Sequence, residues 1–302
     1  MEIAEFRAMG TRVRLGAVGG SRRVLDDARH LVLACEERWS RFRPESELSR
    51  INRGAGRRTL VTFDTFALVE AAVDAWCLTA GRFDPTVLPA LIAAGYDRTF
   101  EEVPTDIGRR RPPCPAPGCA GIELDRGLGM VTLPPGVTLD LGGLAKGHTA
   151  DLVTAAMREA GAAGAMADLG GDVRVTGEPP AASTAWEVGI DAPHRPGLEL
   201  FRVRLADGAV VTSSALRRSW TAAGQRMHHL IDPLTGAPAH RGVAAAVVIG
   251  AEAASAEVVA KAAVVAGRED GAEMARAFDV TGLLVGDDGT VHVLEGFEAF
   301  AS

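Results

Sequence analysis

Hydrophobic and polar positions change period several times along the chain, and each change predicts an element. Residues 1–18 alternate as a strand does, with Gly19 and Gly20 as the turn that ends it. The stretch "SRRVLDDARHLVLACEERWSRF" places Val24, Ala28, Leu31 and Cys35 on one helical face behind a serine cap signal. A second helix fits 62–80, with Leu68, Ala72 and Ala75 on one side and Gly81 beyond its end. "IELD", "MVTLP" and "VTLDL" read as short strands, followed by a helix over about 145–160 that Gly161 stops. Beyond it "AMADL", "VRVTG", "WEVGID", "LFRVRLA", "AVVTSS" and "MHHLID" read as strands. "VTGLLVG" and "VHVLEG" form a hairpin around an Asp-Asp-Gly turn. Helices and strands mix without strict alternation, which predicts an α+β fold rather than a doubly wound sheet.

One helix breaks the apolar pattern. "ASAEVVAKAAVV" is nearly all Ala and Val, yet carries Glu257 and Lys261 four residues apart, on one face. Such a pair is either solvated or pointed into a site, and spacing does not choose between the two.

Composition narrows the field. With 302 residues, 47% hydrophobic and 24% charged, the chain can build a sizeable core. A net charge of −7 argues against a nucleic-acid partner, while a local basic pocket for a phosphorylated small molecule stays open. No apolar run reaches the ~20 residues of a membrane span. The first residues, "MEIAEFRAMGTRVRL", carry charges where a secretory signal is apolar, so the expectation is a cytoplasmic protein without membrane insertion. The loop "VPTDIGRRRPPCPAPGCAG" holds an arginine run and the only close cysteine pair, Cys114 and Cys119. No histidine cluster or second pair completes a zinc site.

Candidate chemistry clusters in a few runs. In "VTLDLGGLAKGHTADLV" a strand ends at Asp140, two glycines follow, and a helix begins near Lys146. That is either a phosphate cradle or a plain strand-to-helix turn that needs small residues. "GRFDPTV" offers Phe83 and Asp84 around a proline, and "FRPESELSRIN" offers Phe42 ahead of a Ser46 cap. In "HHLIDPLTGAPA", His229 beside Asp232 could move a proton or hold a ligand, with His228 facing the other way.

Taken in order, "MGT" at 9, "SELSRIN" at 46, "GRFDPTV" at 81, "DLGGLAKG" at 140, "LGGDVRVTG" at 169, "TSS" at 212 and "HLIDPLTGAP" at 229 resemble the ApbE family. These are the FAD:protein FMN transferases. The resemblance implies one α+β domain over 1–302, with two intimate lobes around an FAD cleft. FAD would be the donor, and its FMN half would pass to a Thr or Ser hydroxyl of an acceptor flavoprotein while AMP leaves. It assigns cofactor contacts to Met9, Phe42, Arg82, Phe83, Asp84, Asp140, Lys146 and His229, with His229 at the reacting phosphate or the flavin. Mg²⁺ would neutralise the pyrophosphate. Its ligands would be a backbone carbonyl of the "DLGG" turn, at Gly143, and an Asp and a Thr four residues apart on a later helix.

Here the chain departs from the pattern. Glu257 stands at the Asp position and Lys261 at the Thr position. An ammonium cannot ligate Mg²⁺, and a unit charge pair at ~4 Å is worth about 4 kcal/mol at an effective dielectric near 20. The expectation is that Lys261, paired with Glu257, substitutes for the metal, so that Glu257, Lys261 and His229 shape the catalytic charge. The other reading has the ammonium turning away from a two-ligand metal site. Ser214 in "TSS" stands where the family often has glycine. A non-catalytic flavin-storage protein and an FAD pyrophosphatase that releases FMN and AMP are the rival functions.

Overall fold

The computed structural model describes residues 1–108, 111–181, 183–195 and 197–301. Arg109 and Arg110 of the predicted arginine run lie outside them. Seven helices are formed among the described residues: α1 (Arg22–Trp39), α2 (Glu47–Arg53), α3 (Phe63–Leu78), α4 (Leu88–Ala93), α5 (Ala145–Glu159), α6 (Ala253–Ala266) and α7 (Arg268–Ala277). The chain divides into two compact units, one of Met1–Glu36, Lys146–Ser214 and Gly242–Ser302, the other of Glu37–Ala145 and Ala215–Arg241.

The first unit is built on an eight-stranded antiparallel sheet. Its order is Glu2–Ala8, Thr11–Val18, Gly164–Leu169, Asp172–Gly177, Gly208–Ser214, Val243–Gly250, Thr281–Gly286 and Val291–Val293. The antiparallel pair Trp186–Asp191 and Glu199–Leu205 contributes Trp186, Ile190, Val203 and Leu205 to a core shared with Val210, Val247 and Leu283 of the sheet. Helix α6 packs on Gly208–Ser214 and Val243–Gly250. Its alanines and valines are small enough to let backbone approach backbone, and nearly all of them are buried.

Two expectations change here. The predicted single strand over 1–18 is two strands that reverse at Met9 and Gly10, both at positive φ (52° and 64°), the conformation of a tight hairpin turn. The strand Val243–Gly250 escaped the pattern because it is buried along almost its whole length. It reads as a continuous apolar run with no alternation.

The second unit packs α2, α3 and α4 with three small sheets: Arg58–Leu60, Met130–Thr132 and Glu123–Asp125; Gln225–His228, Ser219–Ala222 and Asp106–Ile107; and Ile231–Asp232 with Ala237–Pro238. Tyr96, Trp220, Met227, Leu91 and Ile231 centre one core cluster. The predicted face of α3 is correct, since Leu68, Ala72 and Ala75 are all buried. Ser46 caps α2 by accepting the Ser49 N–H at 3.0 Å. "VTLDL" is not a strand. Its backbone is held instead by the Asn52 amide, which donates to the Leu139 carbonyl at 2.9 Å and accepts its N–H at 2.8 Å. The Asp140 N–H reaches the Pro85 carbonyl.

Candidate functional site

In the first unit the start of α5 meets α6. Gly147 allows the approach, since a Cβ there would lie 2.4 Å from the Ala253 carbonyl oxygen. The Asp151 carboxylate accepts the Ala253 and Ala254 N–H groups, 2.9 Å each, and so caps α6 from the neighbouring helix. Burial pushes the Asp151 carboxyl up to about 6, against the pull of those two bonds and of Arg174.

At this junction lie four charges. Lys146 Nζ donates to Glu257 Oε1 at 2.7 Å and to Asp172 Oδ2. Glu257 Oε2 accepts the Gly147 N–H at 2.8 Å, and Lys261 Nζ stands 3.9 Å from Glu257 Oε1. Burial opposes the charge on Lys146, but the two carboxylates outweigh it and raise its pKa. Glu257 is likewise buried, yet Lys146, Lys261 and the Gly147 N–H hold its carboxyl below the ordinary range. Asp172 moves the other way, raised by burial and by the like charge of Glu257 despite Lys146. Two neighbouring carboxylates are thus pushed apart by their surroundings. Asp172 was missed by the sequence reading. The only local hint was an acid directly after Gly170-Gly171, at the head of a strand.

Met9 lies elsewhere in the same unit. Its left-handed backbone directs its N–H to Glu36 Oε1 at 2.8 Å.

Phe42, Arg82, Phe83, Asp84, Asp140, Gly143 and His229 belong to the second unit. Phe42 and Asp140 are brought together by Arg41, a residue the pattern did not single out. Its Nε donates to Asp140 Oδ2 at 2.6 Å and its Nη2 to the Tyr96 carbonyl at 2.8 Å. The guanidinium carbon lies 4.1 Å from the Phe42 ring centroid and 4.7 Å from that of Tyr96. Asp140 Oδ1 accepts the Gly142 N–H at 2.8 Å, an Asx turn leading to Gly143 and α5.

Phe83 is buried, its N–H bonded to Thr79 Oγ1. Asp84 Oδ1 accepts both the N–H and the hydroxyl of Thr86, at 2.7 and 2.6 Å, while burial raises its pKa. His228 is buried, with Nδ1 accepting the Leu230 N–H and Nε2 therefore the donor to the Ala239 carbonyl. His229 is half-buried, with Nδ1 sealed from solvent. The Asp232 carboxylate accepts the Leu234 N–H and pairs with Arg241 at 3.4 Å.

Residues 9–284, nearly the whole chain and every run that carries the resemblance, match the ApbE family. This chain belongs to the ApbE family. Among its relatives are the FAD:protein FMN transferase of Treponema pallidum, 30% identical over 250 residues (78% of this chain, 69% of the relative), and that of Vibrio cholerae, 28% identical over 295 residues (94% and 84%). The crystal structure of the ApbE protein from Thermotoga maritima superposes with a TM-score of 0.87 at 26% identity, covering 100% of this chain and 99% of that one. The α+β architecture expected from the sequence is the ApbE fold. No helix among the described residues is long and apolar enough to cross a membrane.

The ApbE resemblance also brings a divalent cation, and the side chains present do not fit it. Mg²⁺ asks for near-octahedral oxygen ligands at about 2.0–2.1 Å. Glu257 spends Oε1 on Lys146 and Oε2 on the Gly147 N–H, and the second ligand position is an ammonium. Among the described residues no three His, Cys, Asp or Glu side chains group as a metal site.

Proposed function

We propose that this ApbE-family chain is an FAD:protein FMN transferase acting on a Thr or Ser hydroxyl of an acceptor flavoprotein. The observation that carries the reading is the match over residues 9–284 to a family whose relatives bear that activity in their names. The acceptor hydroxyl oxygen attacks the phosphorus on the FMN side of the diphosphate. A new O–P bond forms, the bond from that phosphorus to the bridging oxygen breaks, and AMP departs with that oxygen. The hydroxyl proton goes to a base, for which His229 is the candidate. Lys146 and Lys261 offset the growing negative charge as fixed ammonium groups, and Glu257 holds both in place. Met9, Phe42, Arg82, Phe83, Asp84 and Asp140 are the candidate contacts for FAD. Divalent metal has no step in this scheme.

Incubating the protein with FAD and a candidate acceptor tests the reading. An acceptor heavier by one FMN, with AMP released in equal amount, is the expected result. FAD bound intact without turnover, or free FMN and AMP without an adduct, would overturn it in favour of a storage protein or a pyrophosphatase.

A further inference from the structure

The four charges at the α5–α6 junction are layered. The side chains of Asp172 and Glu257 are 2% exposed, whereas those of Lys146 and Lys261 keep 17% and 18%. What solvent reaches of the group is therefore its two lysine side chains, with the carboxylates sealed behind. Glu257 spends Oε1 on Lys146 and Oε2 on the Gly147 N–H, and Lys261 stands 3.9 Å from Oε1, so a divalent cation added here would meet an ammonium where it needs an open oxygen ligand. An anion arriving from the solvent side meets the lysine side chains before the carboxylates. The buried carboxylates hold Lys146 through two hydrogen bonds, and Glu257 Oε1 lies 3.9 Å from Lys261 Nζ, so no metal has to organise them.

We propose that Lys146 and Lys261 form a metal-free subsite for a diphosphate-type anion, in which Lys261 brings the positive charge that a divalent cation would otherwise supply. Naming that anion as the diphosphate of FAD rests on the transferase reading above.

The test uses the full chain and three probes. Mn²⁺ alone is titrated and followed by electron paramagnetic resonance, inorganic pyrophosphate is titrated by calorimetry in EDTA, and FAD is titrated in EDTA and again in Mg²⁺. The wild type is expected to take up no stoichiometric Mn²⁺, to bind pyrophosphate in EDTA, and to bind FAD within twofold under both conditions. Lys261→Met should weaken pyrophosphate at least tenfold. The double variant Glu257→Asp, Lys261→Thr should gain one Mn²⁺ per chain. One tightly held Mn²⁺ in the wild type would overturn the proposal without recourse to any variant. So would FAD affinity falling tenfold in EDTA, or pyrophosphate binding indifferent to residue 261. A protein that binds pyrophosphate through Lys261 but flavinylates no acceptor would leave this inference standing and remove the transferase reading. A metal-loaded transferase would do the reverse.

Discussion

Glu257 Oε2 and the backbone nitrogen of Gly147 are joined by a hydrogen bond of 2.8 Å across 110 residues of chain. The glycine of the "LAKG" run is thus tied to the one acid of α6, and that tie brings Lys146 to the same carboxylate.

Replacing Gly147 with alanine should break this apposition. The added Cβ would press on the Ala253 carbonyl at 2.4 Å, backbone against backbone, with no flexible side chain to give way. A loss of about 2 kcal/mol or more in urea unfolding is expected, the scale of an overpacked core.

Glu257→Gln keeps the shape but removes the charge between two lysines. Destabilisation of about 3 kcal/mol at neutral pH is expected, because a buried pair loses one member. The pH dependence has a definite sign. The folded-state pKa of Glu257 lies below its ordinary 4.5, so its contribution is present above that value and lost as pH falls through the folded pKa. The stability gap between wild type and variant should therefore be widest above pH ~4.5 and narrow below it. Urea titrations at a series of pH values measure the gap. A gap that widened in acid would contradict the assignment.

Arg41 supports Asp140 from a side chain only 8% exposed. Arg41→Met should leave that carboxylate with the Gly142 N–H alone among these two contacts, costing about 3 kcal/mol by chemical denaturation. Arg41→Lys keeps the charge but not the planar stacking against Phe42 and Tyr96, so it should recover only part of the loss. If Asp140 contacts the nucleotide as proposed, both variants should weaken FAD binding in a fluorescence titration, methionine more than lysine.

Asn52 serves both the donor and the acceptor of Leu139. Asn52→Leu should cost about 2–3 kcal/mol by thermal or urea unfolding, through two buried backbone groups left unmade. Asn52→Asp retains an acceptor for the Leu139 N–H but faces its carbonyl with a charge. It should also destabilise the fold, and the loss should shrink as pH falls and the acid protonates.

Elements governed by local pattern were legible: the apolar face of α3, the Ser46 cap, and the hairpin of Thr281–Gly286 with Val291–Val293. Val243–Gly250 was hidden because a strand buried along its length has no polar beat to mark it. The Met9–Gly10 reversal was hidden because methionine is an uncommon residue for a left-handed turn position. At the candidate site Glu257, Lys261 and Lys146 stood out by chemistry, whereas Asp172 and Arg41 did not. The partners of those two lie 26 and 99 residues away, and no periodicity encodes such a meeting.

The order of strands in the first unit carries a consequence for biogenesis. Gly208–Ser214 has Asp172–Gly177 on one edge and Val243–Gly250 on the other, and the latter awaits Thr281–Gly286 in turn. During synthesis Gly208–Ser214 therefore waits with an open flank until Val243–Gly250 has left the ribosome, and that strand waits for Thr281–Gly286. Through that interval the unpaired edges are open to wrong pairing.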